Sequence, residues 1–452
     1  MVSIQDYFTH ALRRVMHARR SEGRRIGAEL KFPLVRADGS VAAQETVTAL
    51  WRFLCERGWE PIEDGMTRRV VGARRAGPQN DSIASCETGY CKIEFSLAHV
   101  GDLFELDAAI GELRALLRPF GQAHGVRFLG YGIQPVTPPS RDLLFKKERS
   151  CFWDKAVPSN RRIARERGDD VHLFTINAAT HVHVGVSEAE AVRAVNVLGG
   201  FAGPQIALTA HSNFWQGELD RRHKSVAETM WDWWEPARGR SGVPPRPFES
   251  LEDYVGQIAA LRPIYVKRDG VPVLVTHYPS FHDYYHDAAA VGKDLTGKYV
   301  SLIPSRQDID LHNSCYWYTA RISRYFTVEN RVHDQQPPDQ LVCVAALTLG
   351  LLSALDEGWE ELAGYGWDDL RRARDAACRE GLAAPPDGLS LPGLACRMLE
   401  IARRGLHRRG LGEEPFLDPL KDRLARARCP ADEVAAMVRQ GGVETLVARR
   451  AL

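Results

Sequence analysis

Four short segments alternate apolar and polar residues, and their polar positions carry the same unusual chemistry. In residues 26–32, Ile26, Ala28, Leu30 and Phe32 share one parity and Glu29 and Lys31 the other. In 92–98, Ile93, Phe95 and Leu97 oppose Lys92, Glu94 and Ser96. In 181–186, three valines oppose His181, His183 and Gly185. In 325–333, Phe326, Val328 and Val332 oppose Thr327, Glu329, Arg331 and His333. Alternate side chains of a strand share a face, so each segment predicts a strand with one apolar and one polar face. A solvated face usually shows Thr, Ser and Lys. Carboxylates, imidazoles and a guanidinium repeated over four strands point instead to a lined cleft.

Those residue types carry a specific chemistry. Carboxylates and imidazoles together hold divalent cations, and hard Mg²⁺ prefers carboxylate oxygen. An Arg two residues after Glu329 sets a cation beside a ligand, which suits a phosphate whose other oxygens bind a metal. His181-x-His183 alone also fits a metal hydrolase or satisfied core histidines.

The rest of the chain predicts an α+β fold. Helices are expected at 3–18 with Ser3 as cap, at 43–58 and at 102–119. Another is expected at 187–200, opened by a Ser187–Glu190 capping box. Further strands are expected at 126–133 and 171–176. Residues 212–300 are rich in Trp, Tyr, His and Pro and predict loops and short elements. After Pro337 and Pro338 the pattern is helical: 339–356, 367–381, 392–409, 415–428 and 430–439. Amphipathic strands predict a largely antiparallel sheet, one face covered by helices and the other lining the site. No linker stands out, so 1–452 reads as one catalytic unit, with a sheet-containing core at 1–338 and a helical region at 339–452.

Composition removes several function classes. The net charge is +1, so neither nucleic acid nor an anionic membrane is indicated. Arg68-Arg69, Arg74-Arg75 and the stretch from Arg161 to Arg167 read as solvated surface. Nine cysteines without a CxxC pair fit reduced thiols. The N-terminus lacks an apolar leader core and no window is long enough to span a membrane, so a cytoplasmic monomer or homodimer is expected. Gly292 to Lys298 matches G-x-x-x-x-G-K, but Tyr299 follows and no apolar strand precedes it, which argues against a P-loop. Gly130-Tyr131-Gly132 is half a dinucleotide fingerprint, with Pro135 where a third glycine belongs.

Several motifs resemble, in order, the carboxylate–amine ligase family that includes bacterial and plant-type glutamate–cysteine ligases. They span roughly residues 22–440. Ile26-Gly27-Ala28-Glu29 resembles the opening Gly-x-Glu-x-Glu strand, and Ile93 to Ser96 the second Glu strand. Thr180 to Val186 (THVHVGV) is close to a family segment. Asn213 to Gly217 resembles a substrate-side loop, and Glu329 to Pro337 the E-x-R-x-x-D-x-Q-P segment. The resemblance implies a glutamine-synthetase-like sheet, with ATP and Mg²⁺ as cofactors (Mn²⁺ being the alternative ion). The partners it implies are L-glutamate and an amine or amino-acid acceptor, cysteine among them, joined through an acyl phosphate. It implies Glu29, Glu94 and Glu329 as metal carboxylates, with His183 and His181 at or beside a metal. Arg331 and His183 would contact the nucleotide. Arg331, Glu329 and Lys31 would serve catalysis. Asn213, Trp215, Gln216, Arg221, Arg222 and Ser225 would bind substrate.

Three departures matter, the first being that Glu87 to Lys92 lacks the Pro-Gly-Gly of the plant-type enzymes. Lys31 replaces the second Glu of the opening strand, so one metal site is lost or reshaped, or Lys31 contacts a phosphate or carboxylate directly. Ala227 stands where the family commonly has Arg after Ser225, with Arg221, Arg222 and Lys224 near enough in sequence to replace its charge. These departures leave a second reading, a relative that binds nucleotide or amino acid without turnover, beside the ligase.

Overall fold

The computed structural model describes residues 3–19, 23–77, 80–147, 170–234, 237–383 and 389–452. Its centre is a nine-stranded sheet. The strands are β1 (Ile26–Arg36), β2 (Glu60–Glu63), β3 (Val70–Arg75), β4 (Ser82–Cys86), β5 (Lys92–Ser96), β6 (Val126–Phe128), β7 (Ala179–Val184), β8 (Ala320–Ile322) and β9 (Val328–Asp334). Their order is β8-β9-β7-β1-β5-β4-β3-β2, with β6 beside the end of β1. Every pair is antiparallel. The edge strand β2 is largely exposed and carries Pro61 beside Glu60, which suits a sheet border.

The apolar face is the core side. Ile26, Ala28, Leu30, Phe32, Ile93, Phe95, Val182, Val184 and Val328 are all buried in one cluster. The largely apolar helix Cys343–Ser353 lies under β7 and β1, and helix Ala202–Thr209 lies under β9. Helix Leu391–Arg409 crosses Cys343–Ser353 at a glycine pair. A Cβ on Gly405 would lie 1.9 Å from the Gly350 carbonyl oxygen, so only glycine permits that approach. This is the expected layering: helices cover one face and the polar face is left for the site.

Local signals hold where they are chemical. Ser3 caps helix Ile4–Arg19 through the Asp6 amide at 2.9 Å. Ser187 and Glu190 form the capping box of helix Glu188–Gly200. Val47, Leu50, Trp51 and Leu54 form the buried stripe of helix Gln44–Cys55. The segment 212–300 holds short elements, including a four-stranded antiparallel sheet of Tyr265–Arg268, Val271–Leu274, Val291–Lys293 and Tyr299–Ser301. Gly292 to Lys298 is its last hairpin, closed by Asp294 accepting from the Thr296 and Lys298 amides, and not a phosphate loop.

Three expectations need correction. Residues 171–176 are not a strand: Asp170–Thr175 is a 3-10 helix, with the Thr175 hydroxyl donating back to the His172 carbonyl. Only Val126–Phe128 of 126–133 joins the ladder; beyond it Leu129 and Ile133 make single bridges to Ala451 and Asn177. His333 does not share the polar face with Glu329. A bulge between Asn330 and His333 shifts the register, so His333 pairs with Thr180 and turns to the core, where it meets Asn330 and Thr209.

Arg68, Arg69, Arg74 and Arg75 are exposed, and the stretch from Arg161 to Arg167 lies outside the described residues. The described cysteines are free thiols. Among the described residues, no helix is long and apolar enough to cross a membrane.

Candidate active site

Sheet register assembles the polar face in rows. Arg321 pairs with Glu329, Glu329 with His183, and His183 with Gly27. In the next row His181 pairs with Glu29 and Glu29 with Ser96. In the third, Lys31 pairs with Glu94 and Glu94 with Ser85. Neighbours in these rows share a face, so residues from distant parts of the chain meet at one patch.

Glu29, His183 and Glu329 form one group whose ligand atoms lie within 4.8 Å of one another. His183 Nε2 is 3.2 Å from Glu29 Oε1 and 4.0 Å from Glu329 Oε1. Octahedral Mg²⁺ with ligands at 2.0–2.1 Å sets neighbouring ligand atoms about 3 Å apart. Two carboxylates and an imidazole at this spacing therefore fit a divalent cation. His183 Nδ1 lies 2.9 Å from the Thr327 hydroxyl, which fixes the ring and leaves Nε2 facing the carboxylates.

The electrostatics keep both carboxylates ionised. Burial alone would raise Glu29, but Lys31 and hydrogen bonds from His181 and His183 hold it well below the usual carboxylate range. Burial also opposes ionisation of Glu329, and Arg321 and Arg331 overcome it. Arg321 Nε donates to Glu329 Oε2 at 2.7 Å, and Arg331 pairs with the other oxygen. Burial, then Lys31 and Arg331, lower the His181 imidazole and keep it neutral. Its Nδ1 lies 3.0 Å from Glu29 Oε2 and 3.3 Å from Glu329 Oε1.

Lys31 stands apart from that group, in a second cluster. Its Nζ is 3.3 Å from Glu29 Oε2, 3.3 Å from Glu87 Oε1 and 3.5 Å from Glu94 Oε2. Burial, aided by Glu29 and Glu87, pushes the Glu94 carboxyl up to about 8 against the pull of Lys31. Glu94 thus sits with Lys31, not with the Glu29–His183–Glu329 group.

Two cavities flank these clusters. One of about 280 Å³ is lined by Lys31, Glu87, Glu94, His181, Glu228, Arg331 and the indoles of Trp231, Trp234 and Trp317. The other, of about 730 Å³, is lined by Glu29, His183, Thr327, Tyr325 and the basic side chains of Arg14, Arg25 and Arg306. Arg324 lines both. It sits on the β8–β9 hairpin, whose tip holds Phe326 at φ +57, a strained angle for a side-chain-bearing residue. Phe326 is anchored edge-on against Tyr7 and Phe8, which offsets that strain.

The remaining sequence candidates lie elsewhere. Asn213 donates to the Ala431 carbonyl at 3.0 Å, and the Trp215 indole donates to Asp220 at 3.2 Å. Gln216 occupies the turn at φ +53. Arg221 and Arg222 are exposed. None of these five lines either cavity. Ser225 donates to Asp334 at 3.0 Å, just behind the smaller cavity. Burial pushes Asp334 up to about 7 despite bonds from the His211 amide, Ser212 and Ser225. Lys224 pairs with Asp432 at 2.8 Å. The charge absent at Ala227 is therefore not restored by Arg221, Arg222 or Lys224; Arg324 and Arg331 face that cavity instead.

Sequence reasoning missed Arg321, Arg324 and Glu87. The arginines sit on a three-residue strand and its turn, too short for a periodic signal. Glu87 lies in the loop between β4 and β5.

Comparison with known proteins agrees with this geometry. The model of Glutamate-cysteine ligase family 2 (GCS2) matches residues 25–449. A putative glutamate–cysteine ligase 2-3 of Rubrobacter xylanophilus is 34% identical over 206 residues, 45% of this chain and 52% of that protein. The chloroplastic glutamate–cysteine ligase of Medicago truncatula is 24% identical over 401 residues, 86% of this chain and 73% of that one. In fold, the chain is similar to the glutamate–cysteine ligase of Francisella tularensis solved in complex with AMP. The TM-score is 0.54 at 11% identity, over 95% of this chain and 87% of that one. With the family model covering nearly the whole sheet and the helical region, the chain belongs to glutamate–cysteine ligase family 2, a family of carbon–nitrogen ligases.

Proposed function

We propose that the protein joins the γ-carboxylate of L-glutamate to the amine of a small acceptor, using ATP and an acyl-phosphate intermediate. The observation that carries this reading is the meeting of Glu29, His183 and Glu329 beside Arg331, between two cavities of unequal size. The larger cavity suits a nucleotide, with Arg14, Arg306 and Arg324 on its wall for the phosphates. The smaller, lined by Arg331 and Arg324, suits an amino acid.

A divalent cation held by Glu29, His183 and Glu329 would neutralise phosphate charge. Arg331, fixed by its pair with Glu329, holds the γ-phosphoryl group as it moves from nucleotide to carboxylate. A carboxylate oxygen attacks the γ-phosphorus and ADP leaves. The amine then attacks the acyl carbon, loses a proton, and phosphate leaves with that oxygen. The indoles of Trp231, Trp234 and Trp317 screen the acyl phosphate from water.

The test is an acceptor screen of the full chain with ATP, Mg²⁺, glutamate and a panel of amino acids and amines, read by mass spectrometry. One acceptor yields a γ-glutamyl amide and stoichiometric ADP. If no acceptor in the panel drives ADP release, the reading fails.

A further inference from the structure

We propose that the Lys31 ammonium permanently replaces a divalent cation in the Glu29–Glu87–Glu94 cluster, leaving Glu29–His183–Glu329 as the one metal site on the sheet face. The inference rests on the ligase reading and adds a metal count to it.

Three carboxylates converging on one point are the donor set of a hard divalent ion. Here that point holds Nζ of Lys31, 3.3 to 3.5 Å from an oxygen of each carboxylate. His181 Nδ1 lies 2.9 Å from the same nitrogen. An ammonium is a cation with three N–H donors and no lone pair, so it pairs with carboxylates but ligates nothing. A metal would draw the same oxygens to about 2.0–2.1 Å for Mg²⁺. They stand more than 1 Å farther back, at ion-pair distance from nitrogen.

The substitution is locked in by its surroundings. Lys31 is 3% exposed and Lys92 1%. Lys92 Nζ holds the second Glu87 oxygen at 3.0 Å and is itself anchored by the Phe174 carbonyl and Asn177. Two buried ammoniums therefore face the three carboxyl groups, and both Glu87 oxygens are paired with them. Among the described residues, the only metal-competent group is the one containing His183. The amino-acid side of the site then carries a positive charge that is covalently attached and does not depend on metal supply.

The test is Mn²⁺ binding to the full chain without nucleotide, counted by electron paramagnetic resonance. The wild type binds one ion per chain, with the spectrum of an isolated Mn²⁺. Lys31→Glu binds two, and its lines broaden from coupling between neighbouring ions. Lys31→Met, which removes the charge and keeps an unbranched stem, gains a second, weaker site. Circular dichroism identifies any variant that fails to fold, and the wild-type count stands regardless. Two bound ions in the wild type, or one ion in both folded variants, would overturn the proposal. No bound ion in the wild type would overturn both the metal site and this inference. An empty acceptor screen with the count still at one would end the ligase reading alone.

Discussion

The Nδ1 atom of His183 lies 2.9 Å from the hydroxyl of Thr327, and this contact aims the opposite ring nitrogen at Glu29. Thr327 is held in turn by Ser323 at 2.9 Å, so the imidazole is oriented through the β8–β9 hairpin. Thr327→Val keeps the shape and removes the bond. Such supporting contacts are worth roughly 10–100-fold in metal affinity. Calorimetric titration with Mn²⁺ should show a loss of that size, and an unchanged affinity would remove Thr327 from the site.

Arg331 pairs with Glu329 and faces the smaller cavity. If it stabilises the moving phosphoryl group, Arg331→Ala lowers kcat and kcat/KM together by about 10²–10³. A rise in KM alone would mean that Arg331 only binds substrate. Steady-state kinetics with the best acceptor separates the two.

His312 sets an acid limit on stability. It is buried, stacked on Phe281 at 4.1 Å, and its Nε2 bonds the Ile258 carbonyl at 2.9 Å. Burial lowers its pKa to about 4. An unfolded histidine titrates near 6.5, so this group favours folding fully above about pH 6.5. As pH falls from 6.5 towards 4 the unfolded chain takes up the proton first, and about 3 kcal/mol is lost. Urea unfolding at pH 7 and pH 4.5 should show a smaller pH-dependent loss for His312→Gln than for the wild type. An identical loss in both would contradict this.

The Gly350–Gly405 crossing makes a further stability prediction. Gly405→Ala inserts a methyl group into a carbonyl oxygen and should cost about 3 kcal/mol or more. Gly256→Ala, in helix Leu251–Ala260 with open space around the added carbon, should be neutral or stabilising by ~0.5–1 kcal/mol. Thermal unfolding of the two variants side by side decides it, since equal melting points would refute the packing argument.

The site face was legible because strand alternation is strict. Glu29, Lys31, Glu94, His181, His183 and Glu329 all lie on the face their parity predicts. His333 fails for a local reason: the bulge after Asn330 resets the parity of β9. The strands β2 to β4, towards one edge of the sheet, were not read at all. They are short, and Glu60–Glu63 is largely exposed, so burial imposes no pattern on them. Arg321, Arg324 and Glu87 escaped because turns and tertiary register, not periodicity, bring them to the cluster. The substrate-side loop shows the limit of motif matching. Its Asn213 and Trp215 are committed to hydrogen bonds inside that loop and to the C-terminal helix, away from both cavities.

The central claim is that polar strand faces serve carboxylate activation through an acyl phosphate. Glutamate labelled with ¹⁸O in its γ-carboxylate tests it most directly. After turnover with ATP, Mg²⁺ and the productive acceptor, mass spectrometry of the released phosphate should show one ¹⁸O per amide formed. Amide formation with unlabelled phosphate would contradict the acyl-phosphate account.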